Sequence, residues 1–375
     1  MRILFTGREH RVRRRETILH PPKGIKFIPL QPLSEMKKDH ELTNTTSHLK
    51  DKIKRYVNFI NENNKIPKNK LKNINLIYSP GHLVFNNFPF VVEIDNVAAL
   101  TYYNIRLLKL FKQVIKKRLK SRYCKSIICI SEAAKKSVVN YFNDKEIEKK
   151  CIIVYPYSNY PKIKKKKSIK TRFLFISSSF YLKGGKETAN AFISANSKNA
   201  TLTIITKIND IDDDLLKKIK KNKNIYLVEA NMNKKELFSK YYSNTDVFIL
   251  PTYQDSFGLV YLEALSAKLP IIATKTFAVP EMIEDKKNGF LCIPPLNIFK
   301  ENCTPNKHWW YKDKIKYAKT HELKYVEEFL EEKIKLLTNN PKIINKMSQY
   351  SNKIYKEKFN EIKRKKDLLY ALNRK

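Results

Sequence analysis

Glycine is scarce in this 375-residue chain, seven in all, so where it falls is informative. Gly184, Gly185, Gly258 and Gly289 all lie in the second half. The segment Phe173-Leu-Phe-Ile-Ser-Ser-Ser-Phe-Tyr-Leu-Lys-Gly-Gly-Lys186 reads as a strand, a serine-rich loop, Lys183-Gly184-Gly185 and then a helix. Glycine lets backbone amides approach an anion, and a helix N-terminus favours negative charge. Hydroxyls of Ser178 and Ser179, bare amides and the Lys183 ammonium together suit a diphosphate. An ordinary strand–helix loop with a solvated lysine fits the same residues equally well. Neither GxGxxG nor the Walker spacing is present, which removes support from nicotinamide and ATP sites.

A second junction carries more. Val247–Leu250 reads as a buried strand, 251–256 as a loop, and 257–268 as a helix stopped by Pro270. Ser256 suits the N-cap of that helix. Glu263 follows Ser256 by seven residues, almost two turns, and so shares a face with the helix start. It is the one carboxylate on an otherwise apolar helix. A buried acid needs donors. Ribose hydroxyls at the helix mouth would supply them, and so would structural partners within the protein.

The elements that must position these residues are legible as an alternation. Expected strands are Arg2–Thr6, Lys26–Leu30, Asn75–Ser79, Phe90–Ile94, Ser126–Ile130 and Ile152–Tyr155 in the first half. In the second half they are Arg172–Ser177, Thr201–Thr206, Ile225–Val228, Val247–Leu250 and Pro270–Thr274. Helical patterns fit His48–Asn63, Leu100–Lys120, Glu132–Phe142, Lys186–Ala195, Asp213–Lys221, Lys234–Tyr242 and Phe257–Lys268. Strand alternating with helix predicts an α/β fold of parallel sheets with helices on both faces. Seen twice, it predicts two doubly wound domains, at 1–160 and 171–345. A basic linker with Pro161 and Lys164–Lys167 lies between them, and one long charged helix over Pro341–Leu372 follows. The last part of it, 346–375, is expected to pack back toward the first domain.

Composition bounds the rest. With 75 Lys+Arg against 36 Asp+Glu the chain carries +39, and a hydrophobic share of 42% is enough for two cores. Such a surplus draws polyanions: nucleic acid, an anionic membrane or a phosphorylated substrate. The run Lys164–Lys167 reads as a solvated linker ahead of a nucleic-acid patch. The five cysteines form no CxxC pair, which predicts a reducing compartment without a zinc site or disulfide framework. No apolar run approaches the roughly 20 residues that span a bilayer, so any membrane contact is expected to be peripheral. Asp212-Asp213-Asp214 opens a predicted helix, where acids favour the dipole, and is not read as a metal site.

Asp246-Val-Phe-Ile-Leu-Pro-Thr-Tyr-Gln-Asp-Ser-Phe-Gly-Leu-Val-Tyr-Leu-Glu-Ala-Leu-Ser-Ala-Lys-Leu-Pro-Ile-Ile-Ala-Thr274, continued by Val279-Pro-Glu-Met-Ile-Glu-Asp-Lys-Lys-Asn-Gly-Phe-Leu291, resembles the donor-site signature of glycosyltransferase family 4. Asp255 and Glu263 fall on that family's acid-x7-acid motif, and Lys183-Gly184 on its diphosphate-binding lysine. Ile127-Ile-Cys-Ile-Ser-Glu-Ala133 is similar to a strand–helix segment late in the family's first domain. The resemblance is most specific over 172–291, weaker over 74–156 and poor over the first 70 residues.

The resemblance implies a GT-B architecture, two Rossmann-like domains facing across a cleft. It implies retaining, metal-independent transfer from a UDP- or GDP-linked sugar to a glycan or lipid-linked acceptor. Glu263 would bind the ribose, Lys183 would hold the leaving diphosphate, and Asp255 would orient sugar hydroxyls. The amides of Phe257, Gly258 and Leu259 would touch the donor, with Ser178, Ser179 and Gly184 along the diphosphate loop. Three departures stand out. The first acid is Asp255 where the family usually has Glu. Ser177-Ser178-Ser179 stands where an Arg is usual. Val91–Asn96 lacks the family's frequent His, leaving Asp95 as a candidate polar contact near the transferring sugar and His82 as another. The expected partners are therefore a nucleotide sugar, a glycan or lipid-linked acceptor and an anionic membrane face on the cytoplasmic side, with no metal and no nucleic acid. A catalytically inactive scaffold and a basic nucleic-acid-binding protein are the alternative readings.

Overall fold

The computed structural model describes residues 1–7, 12–30, 65–158, 165 and 168–374. The expected helix His48–Asn63 and most of the basic linker, Lys164, Lys166 and Lys167 included, lie outside the described residues. The described chain divides into two units. The first draws on residues 1–157, 299–307 and 361–374, the second on 158–298 and 308–360.

Each unit is built on a six-stranded sheet in which every described strand pair is parallel. In the first unit the strands are β1 (Arg2–Phe5), β2 (Lys26–Pro29), β3 (Leu76–Pro80), β4 (Phe90–Ile94), β5 (Cys124–Cys129) and β6 (Cys151–Ile153), in the order β2-β1-β3-β4-β5-β6. In the second they are β7 (Thr171–Ile176), β8 (Ala200–Thr206), β9 (Ile225–Glu229), β10 (Val247–Leu250), β11 (Ile271–Thr274) and β12 (Gly289–Cys292). Their order, β12-β11-β10-β7-β8-β9, is that of a doubly wound dinucleotide-type sheet. Strand order reverses between β7 and β10, so the loops leaving those two strands open side by side.

All eleven expected strands form, within a residue or two at their ends. The twelfth, β12, is too short and too close to Lys286-Lys287-Asn288 to stand out. Gly289 has a clear reason to be there: a Cβ on it would sit 1.9 Å from the Ile271 carbonyl oxygen of the neighbouring strand. Leu100–Lys120 is not one helix but a short 3-10 turn (Val97–Leu100) followed by helices Ile105–Leu110 and Lys112–Lys120. The interruption is Tyr102 and Tyr103, both left-handed at φ 53° and 64°.

The expected single helix Pro341–Leu372 is two helices, Pro341–Lys358 and Glu361–Leu372. Phe359 leaves helical geometry and is fully buried, while Asn360 Nδ2 donates to the Lys356 carbonyl at 2.6 Å. The two halves belong to different units. Pro341–Lys358 packs on the helix Leu259–Ser266 of the second unit, with Ser351 Oγ donating to Leu269 O at 2.8 Å. Glu361–Leu372 covers one face of the first sheet.

Period-two side chains of that sheet, Ile3 and Phe5, Leu76 and Tyr78, Val91, Ile128 and Val154, meet Leu368, Ala371 and Leu372 of the covering helix. Within this apolar layer Arg364, 4% exposed, lies 3.5 Å from Glu93, 1% exposed. Arg364 also donates to the Val154 and Tyr155 carbonyls and to Thr17 Oγ1 at 3.3, 3.1 and 2.9 Å, and Tyr78 OH donates to Glu93 at 2.5 Å. Removing one partner of such a buried pair strands the other charge. Arg364→Ala should therefore cost about 3–5 kcal/mol of unfolding free energy in urea, with most of it recovered in the double variant Arg364→Met/Glu93→Gln. A loss within about 1 kcal/mol would show that the pair does not fasten the helix.

Candidate functional site

The two loops that open at the strand-order reversal of the second unit carry the residues singled out in the sequence. After β7 the chain runs through Ser177–Ser179, a 3-10 turn at Tyr181–Lys183 and the helix Gly185–Ala195. After β10 it runs through Pro251–Phe257 into the helix Leu259–Ser266. Lys183 Nζ joins them: it donates to Gln254 O at 2.6 Å and to Asp255 Oδ2 at 2.7 Å. Both side chains keep about a fifth of their surface exposed, 20% for Lys183 and 18% for Asp255. The backbone adds a second tie, from Tyr253 N to Leu182 O at 3.0 Å.

Gly184 explains how close the loops come. It is left-handed at φ 76°, and a Cβ there would lie 2.4 Å from the Pro251 carbonyl oxygen. The reason for this glycine is thus loop-on-loop packing. The expected bare amides of the Lys183-Gly184-Gly185 turn are not bare: they donate to the carbonyls of Ser179, Tyr181 and Phe180 respectively. Ser179 spends its amide on Ser177 Oγ at 2.9 Å. This loop therefore offers an anion its lysine head and the half-buried side chains of Ser178 and Ser179, but not a row of amides.

The second loop is organised by Asp255 and Gly258. Asp255 Oδ1 accepts from the Phe257 amide at 3.1 Å, so that amide, expected to face a donor, is engaged within the loop. Gly258, not Ser256, occupies the N-cap, at φ 81° and without a side-chain cap bond. A Cβ on Gly258 would lie 2.5 Å from the Tyr261 ring and 3.2 Å from Asp255 Oδ2. The amides of Gly258 and Leu259 have no hydrogen-bond partner among the described residues, and they form the open N-terminus of the helix. Tyr261 OH donates to Leu250 O at 2.8 Å and pins the helix to β10.

Glu263 lies further along this helix. Its carboxylate accepts from Tyr242 OH at 3.1 Å, and Lys234 Nζ stands 3.9 Å away. Burial raises its pKa, while Lys234 and Tyr242 pull it back. Among the described residues no hydrogen bond or ion pair joins Glu263 to Lys183 or Asp255. The site thus has two parts, a Lys183–Asp255 bridge and a separate carboxylate with its own tyrosine and lysine.

The sequence reading passed over Glu187 and Tyr253. Glu187 is fully buried in the first turn of Gly185–Ala195, and its Oε1 accepts from Tyr253 OH at 2.7 Å. Its Oε2 has no hydrogen-bond partner among the described residues. Burial raises this acid to about 7, against the opposing effects of Tyr253 and Lys186. The pair is a third tie between the two loops. A carboxylate on a helix otherwise rich in alanine was the available signal, but its partner lies 66 residues away.

In the first unit, Asp95 follows β4 directly and is 7% exposed. Both of its oxygens accept from Tyr103 OH, at 2.9 and 2.8 Å. His82, after β3, has Nε2 3.2 Å from Thr6 Oγ1, and its ring stacks on Tyr102 at 6.0 Å. The consecutive left-handed Tyr102 and Tyr103 store strain of about 1–3 kcal/mol each. They place one ring on each candidate residue, which the sequence did not reveal.

Of the acidic triplet, Asp212 pairs with Lys319 at 2.6 Å, and Asp213 and Asp214 begin the helix Asp213–Lys221. Among the described residues no cluster of three potential metal ligands occurs, and no helix is long and apolar enough to cross a membrane.

The Glu187 pKa fixes the sign of a pH effect. Between 4.5 and about 7 the unfolded chain has released this proton and the folded chain has kept it, so stability falls as pH rises through that window. The fall amounts to about 3 kcal/mol. Urea unfolding at pH 5 and pH 8 should show it in the parent, and Glu187→Gln, which keeps an acceptor for Tyr253, should flatten it. An identical slope in the variant would assign the pH dependence elsewhere.

Comparison with known proteins places this geometry. Residues 170–301, which contain both loops, match the family Glycosyl transferases group 1. An uncharacterised 41.2 kDa protein of the cps region of Klebsiella pneumoniae is 32% identical over 122 residues, 32% of each chain. Matches to the curated relatives span about a third of their length or less. Over the whole chain, a glycosyltransferase from Rickettsia africae superposes with a TM-score of 0.65 at 12% identity, covering 100% of this chain and 99% of the other. HepE of Anabaena, solved with UDP-glucose, superposes with a TM-score of 0.60 at 12% identity, covering 99% of each. Two doubly wound units, a strand-order reversal carrying Lys183, Asp255 and Glu263, and the matched stretch 170–301 lead to one assignment: the chain has the GT-B fold, and its residues 170–301 match a group 1 glycosyl transferase domain.

Proposed function

We propose that this protein transfers a sugar, with retention of anomeric configuration and without a metal ion, from a UDP- or GDP-linked donor to a glycan or lipid-linked acceptor. The observation that carries the proposal is the Lys183–Asp255 bridge beside the open N-terminus of Leu259–Ser266. A fixed cation and a positive helix end meet where a diphosphate gathers charge as it leaves. They stabilise that charge more than they bind the intact donor. In this reading Lys183 takes the place a divalent cation fills elsewhere. Asp255 orients sugar hydroxyls and Glu263 accepts from the ribose. HepE solved with UDP-glucose, and TarM of S. aureus solved with UDP, favour the uridine branch of the donor choice.

Asp95 and His82 with their tyrosines are proposed as polar contacts of the first unit for sugar or acceptor. The basic surplus suits work at an anionic membrane on the cytoplasmic side, as expected of polysaccharide or glycoconjugate synthesis.

The bridge has a consequence that separates binding from turnover. Asp255 neutralises the lysine that must meet the diphosphate. Asp255→Asn frees that lysine and removes a repelling charge, so UDP should bind several-fold tighter while donor turnover falls about 100-fold. Lys183→Ala should weaken both, and Glu263→Ala should weaken UDP binding about ten-fold. Donor hydrolysis and transfer, followed by release of UDP, measure this. Parental turnover in all three variants would contradict the roles and favour an inactive scaffold.

A further inference from the structure

The buried acid Glu187 sits where a change of its charge reaches the donor loops. It lies four residues after Lys183, and Tyr253, which donates to its Oε1 at 2.7 Å, lies two residues before Asp255. The carboxyl group thus joins the two chain segments that hold the Lys183 head. Its Oε2 has no hydrogen-bond partner among the described residues. The cation within reach is Lys186, 3.8 Å away. That ammonium already donates to the Ala318 and His321 carbonyls, both at 2.7 Å.

The other groups facing this acid do not favour its ionised form. Tyr181 comes from the turn after β7, and Tyr325 and Glu327 come from the helix Lys324–Asn339. Burial raises Tyr181 and Tyr325 to about 12, so both keep their protons at neutral pH. Tyr253, with Tyr317 and Tyr325 near it, is raised further still, again by burial. Glu327, which accepts from Asn190 at 2.8 Å, adds repulsion. An ionised Glu187 would have one hydroxyl donor and one shared ammonium, which is poor service for a charge out of water. Relief requires Lys186 to leave its carbonyls or water to enter the joint. Both disturb the chain beside Gly184, where a Cβ would already lie 2.4 Å from the Pro251 carbonyl oxygen.

We propose that Glu187 is a positioning residue for the donor: with its proton in place it holds the Tyr253 loop against Lys183, and once ionised it loosens that joint and repels the diphosphate. The inference rests on the donor reading of Lys183 given above. Because linkage is reciprocal, a donor that prefers the protonated form must in turn tighten the hold on the proton. A fastener with a structural role alone would change the unfolding free energy and leave the donor affinity of the folded protein flat with pH.

Calorimetric titration of the full chain with UDP-glucose at pH 6 and pH 8 tests it. The diphosphate of this donor is a diester and has no proton to lose in that range. With Glu187 titrating at about 7, the protonated fraction is about nine-tenths at pH 6 and about one-tenth at pH 8, so affinity should fall about ten-fold. At pH 8 binding should also take up about one proton, read from heats in buffers of different ionisation enthalpy. Glu187→Gln is neutral at both pH values and still accepts from Tyr253. It should keep at pH 8 the affinity the parent has at pH 6, with no proton uptake. Circular dichroism in each buffer shows that both proteins are folded. Equal affinity of the parent at the two pH values overturns the proposal and leaves the donor reading standing. So does a slope retained in the variant, which assigns the titration to another group such as Glu263. A parent that binds no UDP-glucose at either pH strikes the donor reading, and this inference with it.

Discussion

The second unit depends on one constraint: two loops leaving adjacent parallel strands must be held together at the strand-order reversal. Lys183 supplies the polar link, to Asp255 and to the Gln254 carbonyl. Charge-assisted hydrogen bonds of this kind contribute about 1.5–3 kcal/mol each. Gly184 makes the approach sterically possible, and Tyr253 fastens it from beneath through Glu187. The same contacts that close the loops also fix the lysine head at the mouth of the helix Leu259–Ser266. Structure and candidate chemistry share their atoms here.

Buried acids recur as fasteners in both units, each resolved by a different partner. Glu93 meets Arg364 and Tyr78 beneath the covering helix. Glu187 accepts from Tyr253, with the Lys186 ammonium 3.8 Å away, and holds its proton far above the usual carboxylate range. Glu263 has Tyr242 and a more distant Lys234, and burial raises it as well. A carboxylate so sparsely served gains from further hydroxyl donors, and a ribose presents two. This shortage of donors is what motivates the ribose role proposed for Glu263, whereas Glu93 is already served.

Much of the fold was legible because short apolar runs bounded by proline and charge mark buried strands without reference to tertiary structure. Phe90–Ile94 and Val247–Leu250 are placed to the residue. Gly289–Cys292 was missed because its pairing, not its composition, makes it a strand. The break at Tyr102–Tyr103 was invisible because tyrosine has no local preference for left-handed backbone. The residues of the donor loops were legible as types and spacings, but their hydrogen bonds were not. Amides expected to be open at Lys183–Gly185 are closed, and those of Gly258 and Leu259 are the open ones. Partners such as Glu187 and Tyr253 lie too far apart in the chain for spacing to connect them.

The central claim is that Lys183, held at the joint of the two loops, receives the diphosphate of a nucleotide sugar. Calorimetric titration of the full chain and of Lys183→Ala with UDP-glucose tests it most directly. The account predicts saturable binding to the parent and an affinity at least about ten-fold weaker in the variant. Equal affinity in the two proteins would contradict it.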